Sequence, residues 1–417
     1  MSETGPTPKQ RRNYYFAIIS VISMQITAST IYMVFPLFFA SVGLSKAESG
    51  LLISVGTLAG VISSIAAGVL SNKYGRKNIL LLGTVFYTVV FFIFAYTPAH
   101  FGILMGLRFI EGIGFYIMPV MVTTMAADTF PPNQRGRAMA MYSVSSGVGN
   151  LIGPLVSPYL ITGDSYFIYF VFSGAFVGVS ALVMVLLVRE TLSDSLKAKL
   201  KAASAGRKIS ISGFLRSVKG LGAVVAIFLG AVLLYRTGYT MIDPFFSLYL
   251  RDVLKINLSL TSYIFAVRAL AMILFAPLAG IVTDRWGRKS AVLLGMGLAV
   301  ATLVGYTLAF DFVPMLLLKG LDGVTWAVLM TAMNTLMADL LSPEMRGFGM
   351  GLQSSISQQS STIGSVFSGF LIDAYGFTLV FYLAAVAVGL SFLIVWVFIP
   401  EPRRNTEKAA ASAAPIH

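Results

Sequence analysis

Long apolar segments separated by short polar ones run through the whole chain. A helix that crosses hydrocarbon needs about 20 mostly apolar residues. Twelve segments approach or exceed this length, and they are continuous apolar runs rather than the ten-residue alternation of a membrane β-barrel. We therefore predict an all-α polytopic membrane protein. The predicted spans are 14–40, 48–71, 78–97, 101–125, 138–160, 166–188, 221–250, 258–282, 291–310, 313–337, 348–371 and 377–399.

One connection, at residues 189–220, is much longer than the others and carries eight Lys and Arg residues. It divides the spans into two sets of six. Residues 196–200 within it fit either a short amphipathic helix on the membrane surface or part of a solvated linker. The predicted domains are a tail at 1–13, a six-helix bundle at 14–188, this linker, a second six-helix bundle at 221–399 and a tail at 400–417.

The composition agrees with a chain whose main solvent is lipid. Hydrophobic residues make up 57% of it and charged residues only 11%, against roughly 25% charged residues in soluble proteins. Cysteine is absent and the only histidines are His100 and His417, so we expect no disulfide and no metal site. We find no phosphate-binding loop or nucleotide-binding domain, which argues against enzyme activity, ATP-driven pumping and a bound cofactor.

The net charge of +13 is distributed along one side of the predicted membrane topology. All but seven of the 30 Lys and Arg residues lie on the side of the N-terminus, which places both termini in the cytoplasm and favours the inner (cytoplasmic) membrane. Because the basic residues occupy every loop on that side rather than one face, we expect no nucleic-acid partner. The seven exceptions are Lys46, Arg251 and Lys255 on the opposite side and Arg108, Arg236, Arg268 and Lys319 within spans.

The two halves of the chain are related by an internal repeat. Residues 68–77 read GVLSNKYGRK and residues 280–289 read GIVTDRWGRK, an offset of 212. At an offset of 211, the segment RFIEG at 108–112 matches KGLDG at 319–323, and Arg135-Gly136 and Glu190 match Arg346-Gly347 and Glu401. Such concordant offsets predict two related six-helix halves.

The repeated loop resembles the G-x-L-x-D-R-x-G-R-K motif of the major facilitator superfamily. The resemblance implies two pseudo-symmetric six-helix bundles with a substrate site between them, near the membrane midplane. In that family the acidic residue joins a charge network that locks the halves in the outward-open state. Asn72 departs from the motif, so both gating and simple topology anchoring remain open. The matching residues are Gly68, Asn72, Gly75 and Arg76 in the first copy and Gly280, Asp284, Gly287 and Arg288 in the second.

The fifth span contains Gly149, Gly153 and Pro154, which resemble the G-x-x-x-G-P core of a motif typical of the family's antiporters, including its drug:proton exporters. Ala140 stands where a further glycine of that motif falls. Small residues four positions apart also allow close helix packing, so ordinary packing is the alternative interpretation.

Charged residues inside spans are rare, because each costs about 2.5–3.5 kcal/mol at the centre of a helix on insertion scales. Arg108 and Glu111 share one helix face, as do Lys319 and Asp322. Glu111, Asp322 and Asp243 are candidates for proton coupling. Arg108 matches a family arginine proposed to aid proton transfer.

Structural ion pairs are the alternative for all of these charges. Asp322 has Arg268 as a further possible partner, and Asp243 has Arg236. Sequence alone leaves these pairings open.

The eleventh span is too polar for full lipid exposure, which favours a wet cavity or interhelical hydrogen bonds there. Residues 353–362 contain nine Ser, Thr or Gln side chains. The residues we predict to line a substrate cavity are Gln25, Tyr32, Arg236, Tyr239, Arg268, Lys319, Trp326 and Gln358.

Together these patterns predict a secondary active transporter that works by alternating access. The preferred function is proton-coupled export of lipophilic or amphipathic compounds. The alternative is a lipid or glycolipid flippase or an organic-anion carrier on the same fold, motivated by Arg236 and Arg268. The expected partners are a small-molecule substrate of amphipathic or anionic character, protons and the lipid bilayer. A single chain contains the complete transport unit, so we expect a functional monomer.

Overall fold

The computed structural model describes residues 6–97, 100–163, 165–193, 197, 220–342 and 345–401. Over these ranges the chain is built of α-helices, with two short 3₁₀ turns and one isolated β-bridge between Thr162 and Ser165. The helices are α1 (Pro8–Ser29), α2 (Ile31–Ser41), α3 (Lys46–Tyr74), α4 (Arg76–Tyr96), α5 (Phe101–Thr129), α6 (Pro132–Val156), α7 (Phe167–Leu187), α8 (Ala223–Thr240), α9 (Phe246–Asp252), α10 (Leu258–Trp286), α11 (Arg288–Leu308), α12 (Phe312–Leu340), α13 (Arg346–Tyr375) and α14 (Phe377–Phe398).

Within the described ranges, nine helical segments are long and apolar enough to cross a membrane. One of them joins α8 to α9 through the 3₁₀ turn Asp243–Phe245. A tenth is the pair α1 and α2, which bends by 45° at Thr30. The helices α6 and α13 are long enough, at 25 and 30 residues, but are too polar to meet the same criterion. The architecture is thus all-α and polytopic, as predicted, and is consistent with twelve spans.

The first helix begins at Pro8, six residues before the predicted span at 14–40, so the last six residues of the predicted tail are helical. Thr7 and Gln10 form a capping box in which the Thr7 Oγ1 accepts the Gln10 N–H at 3.3 Å and the Gln10 side chain accepts the Thr7 N–H at 2.9 Å. Hydropathy did not reveal this turn because its residues are polar. The segment 196–200, for which a surface helix and a solvated linker were both open, lies outside the described residues except for Lys197.

The two halves repeat the same helix packing. In the first half α3 packs on α5, α4 packs on α5 and α7, and α1 packs on α6 and α7. In the second half α10 packs on α12, α11 packs on α12 and α14, and α8 packs on α13 and α14. The halves meet along α3 with α13 and along α6 with α10. The sequence repeat is therefore a repeat of structure.

The first loop motif holds one end of its half together. Gly75 has φ +97°, a conformation that glycine adopts without strain. The Arg76 guanidinium donates to Asn72 Oδ1 at 2.7 Å and pairs with Asp128 at 3.0 Å. The Glu190 carboxylate accepts the backbone N–H of Arg76 at 2.9 Å, which caps the N-terminus of α4.

The second loop motif repeats the two arginine contacts, and its glutamate caps α11 through the N–H of Lys289. Gly287 has φ +99°, and Arg288 pairs with Asp284 at 2.7 Å and with Asp339 at 3.0 Å. The Glu401 carboxylate accepts the Lys289 N–H at 3.1 Å. Arg76 thus donates to the neutral amide of Asn72, whereas Arg288 donates to the charged carboxylate of Asp284. The contacts of each motif lie within the half that carries it.

We call the end of the molecule that carries these two loops the motif end. At the opposite end the halves are in close contact. The Asp373 carboxylate of α13 accepts the N–H groups of Lys46 at 3.2 Å and Ala47 at 2.7 Å, and so caps α3 of the other half. A Cβ on Gly50 would overlap the Ser365 carbonyl oxygen, and one on Gly369 would overlap the Lys46 carbonyl oxygen. This end of the interface is closed by backbone-to-backbone packing.

Towards the motif end, the facing surfaces of α3 and α13 and of α6 and α10 move apart. Gly68 lies 18 residues, or about five helical turns, after Gly50, and Gly351 lies the same distance before Gly369. A Cβ on either Gly68 or Gly351 would meet no atom within 4 Å. Along the other seam, a Cβ on Gly147 would contact Ile273 at 3.0 Å, whereas one on Gly280 would meet nothing. The interface is closed at the opposite end and open at the motif end.

The antiporter-like motif packs α6 against α1 within the first half. A Cβ on Gly149 would lie 2.7 Å from the Gln25 Cβ, and one on Gly153 would overlap Ser29 Oγ and the Ile26 carbonyl oxygen. Ser29 Oγ also donates to the Gly149 carbonyl at 2.9 Å. These glycines therefore provide close helix packing in this structure.

This packing predicts opposite effects for two glycines of α6. Gly153→Ala should lower the free energy of unfolding by roughly 1–3 kcal/mol, because the added methyl has no room. Gly136→Ala should leave it unchanged or raise it by up to about 1 kcal/mol, since its Cβ would meet nothing and alanine favours the helix. Apparent melting temperatures of the purified variants measure this. Equal melting temperatures for the two would contradict the packing account.

Candidate substrate cavity

A cavity of about 340 Å³ lies between the two halves. We call it the first lobe. Its wall comes from both halves and mixes aromatic, polar and charged side chains. Its polar and aromatic lining residues include Gln25, Ser29, Tyr32, Thr57, Arg108, Glu111, Phe115, Tyr116, Ser146, Asn150, Asp243, Phe265, Arg268 and Trp326.

A second cavity, also of about 340 Å³, adjoins the first and shares four of its lining residues. We call it the second lobe. The shared residues are Tyr32, Tyr116, Asp243 and Trp326. The remainder of the second lobe is lined by Arg236, Thr240, Pro244, Ser354, Ser357, Gln358 and Ser361. The polar face of α13 therefore lines this lobe, which favours the cavity interpretation of its unusual composition.

The charged pair of the first half lies in the wall of the first lobe. Arg108 Nη1 and Glu111 Oε2 are 2.5 Å apart on one face of α5. The Arg108 Nε donates to the Leu52 carbonyl at 3.3 Å, and its guanidinium lies 4.8 Å from the centre of the Phe35 ring. Glu111 also has the buried Tyr87 hydroxyl as a side-chain hydrogen-bond partner. The pair is electrically neutral when both side chains are ionised.

The second half carries a cluster of two acids and two bases. Arg268 lies 3.3 Å from Asp243 and 3.0 Å from Asp322. Lys319 lies 3.4 Å from Asp243 and 3.2 Å from Asp322. The contact of Arg268 Nε with Asp322 Oδ2 is a charge contact, because the N–H is not aligned for a hydrogen bond. Each base therefore bridges both acids, and the cluster is neutral when fully ionised.

Part of this cluster lies behind the cavity wall. Lys319 and Asp322 are buried, and neither lines a lobe. The Tyr239 hydroxyl donates to Asp322 Oδ1, and Arg268 Nη2 lies 3.3 Å from the same hydroxyl. The Lys319 ammonium lies 3.9 Å from the centre of the Phe246 ring. Arg268 and Asp243 face the first lobe and link it to these buried groups.

Arg236 differs from the other embedded cations. Its guanidinium lies 4.5 Å from the centre of the Trp326 ring, and its Nη2 contacts Met330 Sδ at 2.9 Å. Asp243, the acid considered as its partner, pairs with Arg268 and Lys319 instead. The reason is the break between α8 and α9, which places Asp243 in a 3₁₀ turn rather than on the continuous helix after Arg236.

The structure divides the predicted cavity residues into two groups. Six of them line a lobe: Gln25, Tyr32, Arg236, Arg268, Trp326 and Gln358. Tyr239 and Lys319 lie behind the wall, in contact with Asp322 and Asp243. Of the antiporter-like motif, Pro154 lines the first lobe. The loop-motif residues lie at the motif end.

Sequence reasoning missed the contribution of α6. Ser146 and Asn150 line the first lobe, and Tyr142 accepts a hydrogen bond from Gln25 Nε2 at 3.0 Å. The signal was available, because α6 is too polar for lipid in the same way as its repeat partner α13. Phe115, Phe265 and Met272 were also missed, since single apolar residues of a span carry no sign of which face they occupy.

No group of three or more His, Cys, Asp or Glu side chains in the described ranges is arranged to hold a metal ion.

Comparisons with known proteins agree with this architecture. The family described as Major Facilitator Superfamily matches residues 17–235 and 228–416. The chain is 24% identical over 405 residues to "Multidrug resistance protein MdtG" of Proteus mirabilis, covering 95% of this chain and 98% of that protein. It is 24% identical over 361 residues to "Quinolone resistance protein NorA" of Staphylococcus aureus, covering 82% and 85%.

Two solved structures share the fold at low sequence identity. The D-xylose-proton symporter matches with a TM-score of 0.70 and 16% identity, covering 94% of this chain and 98% of that one. The nucleoside transporter NupG matches with a TM-score of 0.72 and 13% identity, covering 94% and 98%.

The four-member cluster makes a prediction about stability. Lys319→Met leaves two carboxylates facing one arginine and should lower the free energy of unfolding by about 3–5 kcal/mol. Adding Asp322→Asn restores electrical balance and should recover most of that loss. Apparent melting temperatures measure both. As a control, Arg251→Met removes an exposed pair and should cost at most about 1 kcal/mol. A double variant no more stable than Lys319→Met would refute the charge-balance account.

Proposed function

The chain belongs to the major facilitator superfamily, and from that membership we propose that it exports lipophilic or amphipathic compounds in exchange for protons. It is a multi-pass membrane transporter, not an enzyme. The proposal concerns its substrate, its direction, its coupling ion and its orientation in the membrane.

The observation that carries the proposal is the cavity between the halves, closed at the opposite end and widening towards the motif end. A cavity that opens to one side at a time is what alternating access requires. The basic loops favour a cytoplasmic motif end and cytoplasmic termini in the inner membrane. In that orientation the structure is the inward-open state, in which an exporter collects its substrate.

Two features support a lipophilic or amphipathic substrate. Tyr32, Tyr116 and Trp326 form an aromatic wall common to both lobes, and hydroxyl and amide groups lie beside it. The relatives MdtG and NorA bear names that refer to multidrug and quinolone resistance. The likeness to the sugar and nucleoside transporters concerns the fold alone.

Glu111 and Asp322 are the proposed proton carriers. Glu111 lies in the wall of the first lobe, where its side chain interacts with Arg108 and Tyr87. Asp322 is buried and linked to the lobe through Arg268 and Tyr239. When either carboxylate takes a proton, its neighbouring arginine loses a counter-charge. Protonation thereby changes the charge of the wall that the substrate meets, which couples proton binding to substrate binding. Arg108, as the partner of Glu111, is proposed to modulate its proton exchange.

Transport by the purified protein in proteoliposomes tests this function. Norfloxacin, a quinolone, should accumulate in vesicles with an acidic lumen through inside-out molecules, and collapse of the pH gradient should abolish the accumulation. Glu111→Gln and Asp322→Asn should each reduce gradient-driven accumulation at least about tenfold while leaving substrate counterflow in place, because counterflow needs no net proton transfer. Asp252→Asn is the matched control, since Asp252 pairs with Arg251 away from the cavity.

Accumulation that is indifferent to the pH gradient would refute proton antiport. Coupled accumulation that persists in both Glu111→Gln and Asp322→Asn would refute the assignment of these residues as carriers.

A further inference from the structure

Arg236 is the embedded cation that no carboxylate balances. At mid-membrane depth Glu111 is paired with Arg108, and the two acids of the second-half cluster are balanced by Arg268 and Lys319. Among the described residues, no carboxylate oxygen is recorded within 4.0 Å of the Arg236 guanidinium. Its Nε is buried and has no hydrogen-bond partner there. The seven embedded charges therefore sum to one net positive charge when every group is ionised, and Arg236 is the cation without a paired acid.

The contacts that Arg236 does make compensate this charge only in part. A cation over an aromatic ring is only weakly stabilised, and a thioether sulfur is a weak acceptor. These contacts offset only part of the cost of a charge at the centre of a helix within hydrocarbon. The contacts with Trp326 at 4.5 Å and Met330 at 2.9 Å hold the guanidinium in place. They leave its Nε without an acceptor.

The surroundings of Arg236 are built for a polar group next to an apolar one. Ser354, Ser357, Gln358 and Ser361 of α13 line the same lobe. The Gln358 Oε1 is a second buried polar atom without a partner among the described residues. Rotation of this amide exchanges its oxygen and nitrogen, so Gln358 offers either a donor or an acceptor.

The second lobe also has an aromatic wall. Tyr32, Tyr116 and Trp326 form it, and the same three rings continue into the first lobe. A ligand with its head at Arg236 therefore extends along this aromatic wall.

We propose that the second lobe is a subsite for an amphipathic organic anion, with Arg236 binding a carboxylate head and the aromatic wall holding a flat apolar body. Arginine suits this role because its planar guanidinium presents donors that match a carboxylate, and Nε is one of them. This subsite deepens the proposed export function and rests on it, since it names the class of compound exported.

A cationic head is disfavoured in this lobe by the same charge count. Asp243 also lines the lobe, but Arg268 at 3.3 Å and Lys319 at 3.4 Å already neutralise it. A ligand cation would add to an existing excess of positive charge, whereas a ligand anion cancels it.

Binding to the purified protein, measured by titration calorimetry without any pH gradient, tests the proposal independently of transport. The probes share one ring system and differ in their head: biphenyl-4-carboxylate, biphenyl-4-methanol and biphenyl-4-methylammonium. Inorganic phosphate serves as an anion without the ring. The carboxylate should bind at least about tenfold more tightly than the alcohol, because a hydrogen bond to a charged group contributes roughly 1.5–3 kcal/mol. The ammonium and the phosphate should bind more weakly than the carboxylate.

The subsite is refuted if the alcohol or the ammonium binds as tightly as the carboxylate. Phosphate binding equal to that of the carboxylate would refute the role of the aromatic wall. Failure of all four probes to bind at millimolar concentration would refute the subsite as a whole. Carboxylate-selective binding in a protein that shows no proton-coupled transport would support the subsite while refuting the antiport mechanism.

Variants then assign the selectivity to one side chain. Arg236→Gln should lower the affinity for the carboxylate about tenfold, to that of the alcohol, and change the affinity for the alcohol less than threefold. Arg236→Lys keeps the positive charge but loses the planar set of donors, and it should retain part of the preference for the carboxylate. This variant also tests the assignment if Arg236→Gln fails to fold. Arg251→Gln, at an exposed arginine of the opposite end, is the matched control. An unchanged preference for the carboxylate in Arg236→Gln would overturn the assignment.

Discussion

The constraint on which this structure depends is that charge inside hydrocarbon must be compensated. The protein meets it by pairing within each half. Arg108 and Glu111 belong to one helix, and the four-member cluster around Asp322 belongs entirely to the second half. Because each ion pair among these embedded residues joins two residues of the same half, the halves are able to rock as rigid bodies without separating buried charges. The free-energy cost of rocking the halves is thereby confined to the contacts that join them.

Those joining contacts lie at the opposite end and towards the middle of the molecule. They comprise the Asp373 cap on α3, the hydrogen bonds of Ser54 and Thr57 to Thr362, and the close backbone approach around Gly50 and Gly369. The Asp373 cap and the hydroxyl hydrogen bonds are exchangeable for water once the end opens, since a helix N-terminus and hydroxyl groups hydrogen-bond well to solvent. At the motif end, each loop motif is tied to its own half by Arg76 or Arg288. Strong contacts thus preserve each half and replaceable ones join the two.

The sequence predicted much of this for reasons that are local. Apolar runs predicted the helices, concordant offsets predicted the repeat, and three-residue spacing predicted the pairs Arg108–Glu111 and Lys319–Asp322. It did not predict that Asp243 pairs with Arg268 and Lys319, because that depends on a break between α8 and α9. Nor did it place Tyr239 behind the wall, since the direction of a side chain follows from tertiary packing. The start of α1 was missed because its capping residues are polar.

The central claim is that one cavity is reached from alternate ends as the halves rock. The absence of native cysteine allows spin-label pairs across the halves, at Ser41 and Val253 for the opposite end and at Lys73 and Arg285 for the motif end. Electron–electron distance measurements on both pairs, with and without Asp373→Asn, test the claim most directly. Loss of the charged cap should lengthen the Ser41–Val253 distance and shorten the Lys73–Arg285 distance. Two distances that both stay fixed, or that lengthen together, would contradict alternating access through this interface.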